Sequence, residues 1–171
     1  MVPRLATEPA PVPGARWIAL TRGYFALVDE SDFERASKFL WSFHPAGRNE
    51  DHFYAVAWIN KKRTLLHQFI MGSRDRIDHK DRDGLNCRRQ NLRFATRAEN
   101  QQNAAIRSDS RTGFKGVTFA KDRGYYRAHI MTLERKRLWL GNFADPKEAA
   151  RAYNRAAIEH FGEFARLNEG L

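Results

Sequence analysis

Arg76-Ile77-Asp78-His79, a polar loop from Lys80 to Gln90, Asn91-Leu92-Arg93-Phe94-Ala95 and then Thr96-Arg97-Ala98-Glu99-Asn100 form the stretch that decides the fold. Residues 76–79 make a short strand candidate, and the apolar–polar alternation of Leu92 to Ala95 predicts a second strand. Thr96-x-x-Glu99 has capping-box spacing, which starts a helix and puts Asn100 at the end of its first turn. Strand, loop, strand and helix give a ββα unit. It carries a carboxylate, an imidazole and carboxamides in one segment dense with arginine.

Those groups suit one kind of chemistry. Phosphodiester hydrolysis needs a deprotonated water and stabilisation of charge on the phosphate and the leaving oxygen, and a hard divalent ion can supply the stabilisation. Such ions take oxygen ligands and keep several waters. The Asp78 carboxylate and the Asn100 amide oxygen are therefore candidate ligands. His79 is the candidate general base, because an unperturbed imidazole titrates near neutrality. On a strand, Asp78 and His79 point to opposite faces. For both to serve one site, the strand must end or twist there.

Upstream, Leu66 to Met71 reads as a short buried helix ending at Gly72. Phe53–Ile59 and Arg63–Leu65 read as strands joined by a turn at Asn60-Lys61-Lys62. Ser31-Asp32-Phe33-Glu34 offers capping-box chemistry for a helix reaching about Trp41, with Phe33, Ala36, Phe39 and Leu40 as its apolar stripe. Two short strands are expected at Trp17–Leu20 and Tyr24–Val28. Pro3, Pro9, Pro11, Pro13 and Gly14 mark residues 1–15 as a disordered leader.

Downstream, 104–113 is linker-like, and three strands follow: Phe114–Phe119, Tyr125–Met131 and Arg137–Phe143. Asp145-Pro146-Lys147-Glu148 starts a helix by three rules: Asp at N-cap, Pro at N1 and Glu at N3. Ala149, Ala150, Tyr153, Ala156, Ala157 and His160 form its core face, and Gly162 closes it. The reading is an α+β chain. A leader (1–15) precedes a first domain (16–106) with its ββα motif at about 76–106. A linker (107–113) leads to a three-stranded antiparallel sheet packed on one helix (114–169).

The 171 residues carry a net charge of +10, unevenly spread. Residues 1–60 have a net charge of −1, residues 61–100 of +6 and residues 101–171 of +5. A field of that kind attracts polyanions, nucleic acid first. No apolar run nears the ~20 residues of a membrane span. The N-terminus lacks a signal pattern, so no secretion is expected. The single Cys87 excludes an internal disulfide and a four-cysteine zinc site. A calcium loop at Asp81-x-Asp83-Gly84 fails: with Gly84 sixth, His79 would be first and Gln90 twelfth. Zinc held by His67, His79 and Cys87 lacks paired spacing, and His67 reads as structural.

Asp78-His79, Asn91-Leu92-Arg93 and Thr96-x-x-Glu99-Asn100 together resemble the HNH (His-Me finger) nuclease motif of phage and bacterial homing endonucleases. Leu66 to Gly72 resembles that family's lead-in. The resemblance implies a ββα-metal site. In it His79 is the general base, Asp78 and Asn100 hold the metal, and Asn91 fastens the loop by hydrogen bonds and so orients His79. The metal is expected to be Mg²⁺, with Mn²⁺ as the alternative.

Lys115-Gly116-Val117, Trp139-Leu140-Gly141, Glu148-Ala149-Ala150-x-Ala152-Tyr153-x-x-Ala156-Ala157 and Leu167-Asn168 resemble the Apetala-type, ethylene-response-factor DNA-binding domain of plants. HNH homing nucleases are known to carry this domain at the C-terminus. The implied DNA-facing residues are Lys115, Gly116, Thr118, His129, Arg137, Trp139 and Asn142, and the strand chemistry adds Arg127 and Lys136. Thr118, Ala120 and Met131 stand where the plant domains usually have arginine, which predicts different base reading. The expected activity is metal-dependent cleavage of duplex DNA by a cytoplasmic, bacterial or phage-encoded monomer or homodimer of a mobile element. The alternative is a regulator that binds DNA without cutting it.

Overall fold

Asn60 (φ 51) and Lys61 (φ 63) both take left-handed backbone, the pair of conformations that a two-residue hairpin turn requires. They join β4 (Phe53–Ile59) to β5 (Lys62–Leu65). The computed structural model describes residues 7–45, 53–104, 106 and 110–171, and it divides into two units, Met1–Ala95 and Thr96–Leu171. Among the described residues, the strands form four small antiparallel sheets.

In the first unit, β1 (Ala15–Ala19) pairs with β2 (Phe25–Asp29), and β3 (Ser42–Pro45) adds to β4 and β5. β6 (Ile77–His79) pairs with β7 (Leu92–Phe94). Trp41, Leu66, Ile70, Val28 and Cys87 fill the core. α2 (Leu66–Met71) stops at Gly72, whose φ of 65 makes the left-handed C-cap.

α1 (Glu30–Ala36) is shorter than the helix expected to reach Trp41, and the side chain of its N-cap, Asp29, makes no capping bond. Trp41 is instead fully buried, its indole N–H donating to Ala36 O at 2.9 Å. Leu40, expected on the apolar stripe, is 83% exposed because the helix has ended before it. Asp32 is not in a capping box: its buried carboxylate receives Arg35 and Arg89. Both arginines also donate to Ile70 O, so one carboxylate ties α1, α2 and the loop before β7. Burial raises the Asp32 pKa, but the two guanidiniums outweigh it and hold the group below the ordinary carboxylate value.

The leader expected over 1–15 lies outside the described residues over 1–6. Further along it is tied down: Trp17 donates to Ala10 O at 2.9 Å, and Val12 bridges Ala15. Part of the expected linker, 107–109, also lies outside the described residues.

The second unit begins with α3 (Arg97–Asn103), so the division falls before this helix and not at the expected residue 106. Thr96 Oγ1 accepts from Glu99 N, and the Glu99 carboxylate accepts from Thr96 N: both bonds of the capping box form. β8 (Val117–Ala120), β9 (Tyr125–Met131) and β10 (Arg137–Phe143) make a sheet with β9 central, and α4 (Pro146–Phe161) covers one side. β8 starts later than the expected Phe114. Gly116 has φ 73, and a Cβ there would stand 2.0 Å from the Tyr153 ring, so the chain turns tightly against α4 before the strand begins. The α4 face is small: Ala149, Ala150, Ala152, Ala156 and Ala157 are all buried, with Tyr153. His160, expected on this face, is exposed, and Phe161 is buried instead. No described helix is long and apolar enough to cross a membrane.

Candidate active site and nucleic-acid interface

Strand β6 is buried along its whole length. Its register sets Asp78 opposite Arg93 and His79 opposite Leu92. Arg93 Nε and Nη2 both donate to Asp78 Oδ2, at 2.8 and 2.6 Å. The two side chains are only 9% and 6% exposed, so this is a buried ion pair. Charges taken out of water at that depth need a partner, because the desolvation cost is several kcal/mol per ion.

His79 has different neighbours. Its ring lies 4.9 Å from that of His67 in a T-shaped arrangement and 5.9 Å from that of Tyr54, and Cys87 Sγ is 3.9 Å from His79 Nε2. Strand alternation thus gives Asp78 to Arg93 and His79 to an aromatic and thiol wall. Burial pushes the His79 pKa below the ordinary imidazole value, against the pull of Asp81, Asp78 and Asp83. That direction favours the neutral ring, the form that can accept a proton. His67 is pushed down to about 3, by burial first and by His79 second. Burial also raises Cys87, so its group is a thiol and not a thiolate.

Asn91 stitches the loop between β6 and β7. Its Oδ1 accepts from Asp81 N at 3.1 Å, and its Nδ2 donates to Asp81 Oδ1 and Asn86 O, each at 2.8 Å. The loop is also sewn to β2: Leu27 N donates to Leu85 O, and Cys87 N donates to Leu27 O. Gly84 lets the same loop lie close against β4, since a Cβ there would meet Phe53 O at 2.1 Å. Asp78, His79 and Asn91 therefore share one small buried region of the first unit. Asn100 lies on α3, in the second unit.

No group of three or more His, Cys, Asp or Glu able to hold a metal occurs among the described residues. A carboxylate and a carboxamide with several waters still fit a hard ion by donor chemistry.

In the second unit, the side of the sheet away from α4 carries most of the polar residues singled out in the sequence. Thr118 and Asn142 both register with Arg127, His129 with Trp139, and Met131 with Arg137. The alternating residues Ala128 and Ile130 are buried. Trp139 is 61% exposed, which places it outside the core. Its ring lies 5.6 Å from that of His129, with the Arg137 guanidinium 5.8 Å from its centroid. A bulge between Trp139 and Gly141 restores the alternation before Asn142. Lys136 is exposed in the turn before β10.

Lys115 and Gly116 do not share that face. Lys115 Nζ donates to Gln102 O and Ala104 O at the end of α3, and Gly116 sits against Tyr153. Sequence reasoning missed three features: the Arg93–Asp78 pair, the Asp32 network and Asn168. The last holds the N–H and C=O of Lys115 and both groups of the Asn154 amide. The register opposite Asp78 could have suggested the first, while the others join residues distant in sequence.

The first unit thus holds a buried Asp–His strand pair followed by a loop that Asn91 braces. The family model for HNH endonucleases matches residues 76–102. An uncharacterized HNH endonuclease of Acanthamoeba polyphaga mimivirus is 30% identical over 159 residues, covering 86% of this chain and 76% of that protein. The chain belongs to the HNH endonuclease family. A second similarity is short: dehydration-responsive element-binding protein 2E of Arabidopsis thaliana is 64% identical over 33 residues, covering 19% of this chain and 14% of that protein.

Proposed function

We propose that the protein is a homing-type HNH endonuclease that hydrolyses phosphodiester bonds of duplex DNA. The observation that carries this reading is the site around β6: a buried His79 next to an Asp78 held by Arg93, with Asn91 fixing the loop that follows. His79 takes the proton from the attacking water. Asn91 keeps the backbone after His79 in place through Asp81. Asp78 and Asn100 are the oxygen donors proposed for a divalent ion, Mg²⁺ or Mn²⁺. When bound, such an ion supplies Lewis-acid stabilisation of charge on the phosphate and the leaving oxygen. Arg93 fixes the Asp78 carboxylate in direction through two hydrogen bonds.

The second unit serves as an ethylene-response-factor-type binding module, as the 33-residue plant similarity supports. Its exposed face of Thr118, Arg127, His129, Arg137, Trp139 and Asn142 offers phosphate-binding and stacking groups, and a strand ribbon fits the major groove.

The test is a cleavage assay on supercoiled DNA with Mg²⁺ or Mn²⁺ and an EDTA control. Nicking or linearisation that depends on the metal is expected. Tight duplex binding with no cut in either metal would reject the nuclease and favour a non-cleaving regulator.

A further inference from the structure

The β4–β5 hairpin carries an unusual tip. Trp58 is 73% exposed, although most large aromatic side chains of this unit are packed. Directly across the ladder from Trp58 is Arg63, and Ile59 faces Lys62. Asn60, Lys61, Lys62 and Arg63 are all exposed. No acidic residue occurs between Asp51 and Asp75, so nothing within this stretch neutralises the three cations. Among the described residues, none of the three forms an ion pair. The turn itself is fixed by two left-handed residues, so the backbone of the tip is preorganised.

An exposed aromatic ring flanked by three cations is the combination that suits a polyanion's phosphates and sugars. We propose that this hairpin is a second DNA-contacting element, separate from the sheet of the second unit. In it Lys61, Lys62 and Arg63 bind backbone phosphates of the duplex, and Trp58 packs against the sugars between them. The inference rests on the DNA reading above, and it adds where the first unit itself grips the substrate. Trp with lysines also matches an anionic membrane surface, so that binding mode enters the test as a rival.

The experiment is fluorescence anisotropy of a labelled duplex titrated with the full chain in EDTA across a range of KCl concentrations. It compares wild type, the triple variant Lys61→Ala/Lys62→Ala/Arg63→Ala, and a control triple on the exposed side of α4, Lys147→Ala/Arg151→Ala/Arg155→Ala. The hairpin triple is expected to make the log–log salt slope shallower by about 2 to 3 and to weaken binding at least ~10-fold at low salt. The control, which removes equal charge, should change the slope by less than about 1. Trp58→Ala should weaken binding about 5-fold at unchanged slope, and Trp58→Phe should restore most of it. All these positions are exposed, and unchanged thermal melting confirms the fold.

An unchanged slope in the hairpin triple, or an equal loss in the control, overturns the proposal. Loss of binding to phosphatidylserine vesicles with DNA binding retained also overturns it. The nuclease reading fails separately. A chain whose slope depends on the hairpin but which never cuts with Mg²⁺ sinks the nuclease and leaves the hairpin. A chain that cuts with an unchanged slope does the reverse.

Discussion

The two units solve opposite problems with similar small sheets. The first buries its chemistry: Asp78, His79, Asn91 and Arg93 are all inside, under a core of Trp, Leu, Ile and Phe. The second exposes its polar face and buries mainly alanine beneath it, where α4 lies close to the sheet. Under the proposed function, the difference follows from what each set of groups must do. A general base needs a fixed direction and a tuned proton affinity, and burial supplies both. A surface that tracks a duplex needs reach and charge, which burial would remove. Polar groups are therefore costly in the first unit and cheap in the second, and substitutions should divide along that line.

The largest effect should come from His79→Ala. We expect cleavage to fall by about 10²- to 10⁴-fold, the usual range for losing a general base, while duplex affinity stays within about 2-fold. Cleavage near the wild-type rate, followed on supercoiled plasmid, would remove His79 from the mechanism. Next is Gly116→Ala. The added Cβ meets the Tyr153 ring at a backbone angle that L residues rarely adopt. A loss of about 2–4 kcal/mol is expected in the second unit, read by chemical denaturation. An unaffected transition would show that the ring can move aside.

A third prediction concerns pH. The folded His67 is pushed down to about 3 from an ordinary 6.5. Below pH 6.5 the unfolded chain binds a proton that the folded chain refuses. Stability of the first unit should therefore fall as pH drops from about 6.5 toward 3, by a few kcal/mol in all. His67→Phe should flatten that slope; a slope that persists would assign it to other groups. Smallest is Trp139→Ala, which should weaken duplex binding about 5- to 10-fold with no change in melting, because the ring is mostly exposed. A clear drop in melting temperature would return Trp139 to a structural role.

What was legible in the sequence was local. The hairpin turn at Asn60-Lys61-Lys62, the stop at Gly72, the Thr96–Glu99 box and the Asp145-Pro146 start all depend on residues a few positions apart, and each is found, the turn one residue shorter because Lys62 already belongs to β5. The order of site residues along 78–100 was legible for the same reason. What was hidden joined distant positions. Asp32 looked like part of a cap because one of its two arginine partners, Arg89, is 57 residues away. Lys115 looked like a phosphate ligand because nothing near it in sequence shows the carbonyls of α3 that it meets. The end of α1 was misplaced because Trp41 suits a helix face as well as a core. Only its burial, and the Leu20–Trp41 bridge, distinguish the two.

The Asn168 clasp has a consequence for synthesis on the ribosome. The main-chain groups of Lys115, just before the first strand of the second unit, meet their partners only when residue 168 has been made. Strands and helix can assemble earlier, but the turn at Gly116 is secured last. The first unit can be complete while this one still waits for its final residues. A nascent chain would thus complete its first unit before its second, since domains tend to fold in the order they emerge.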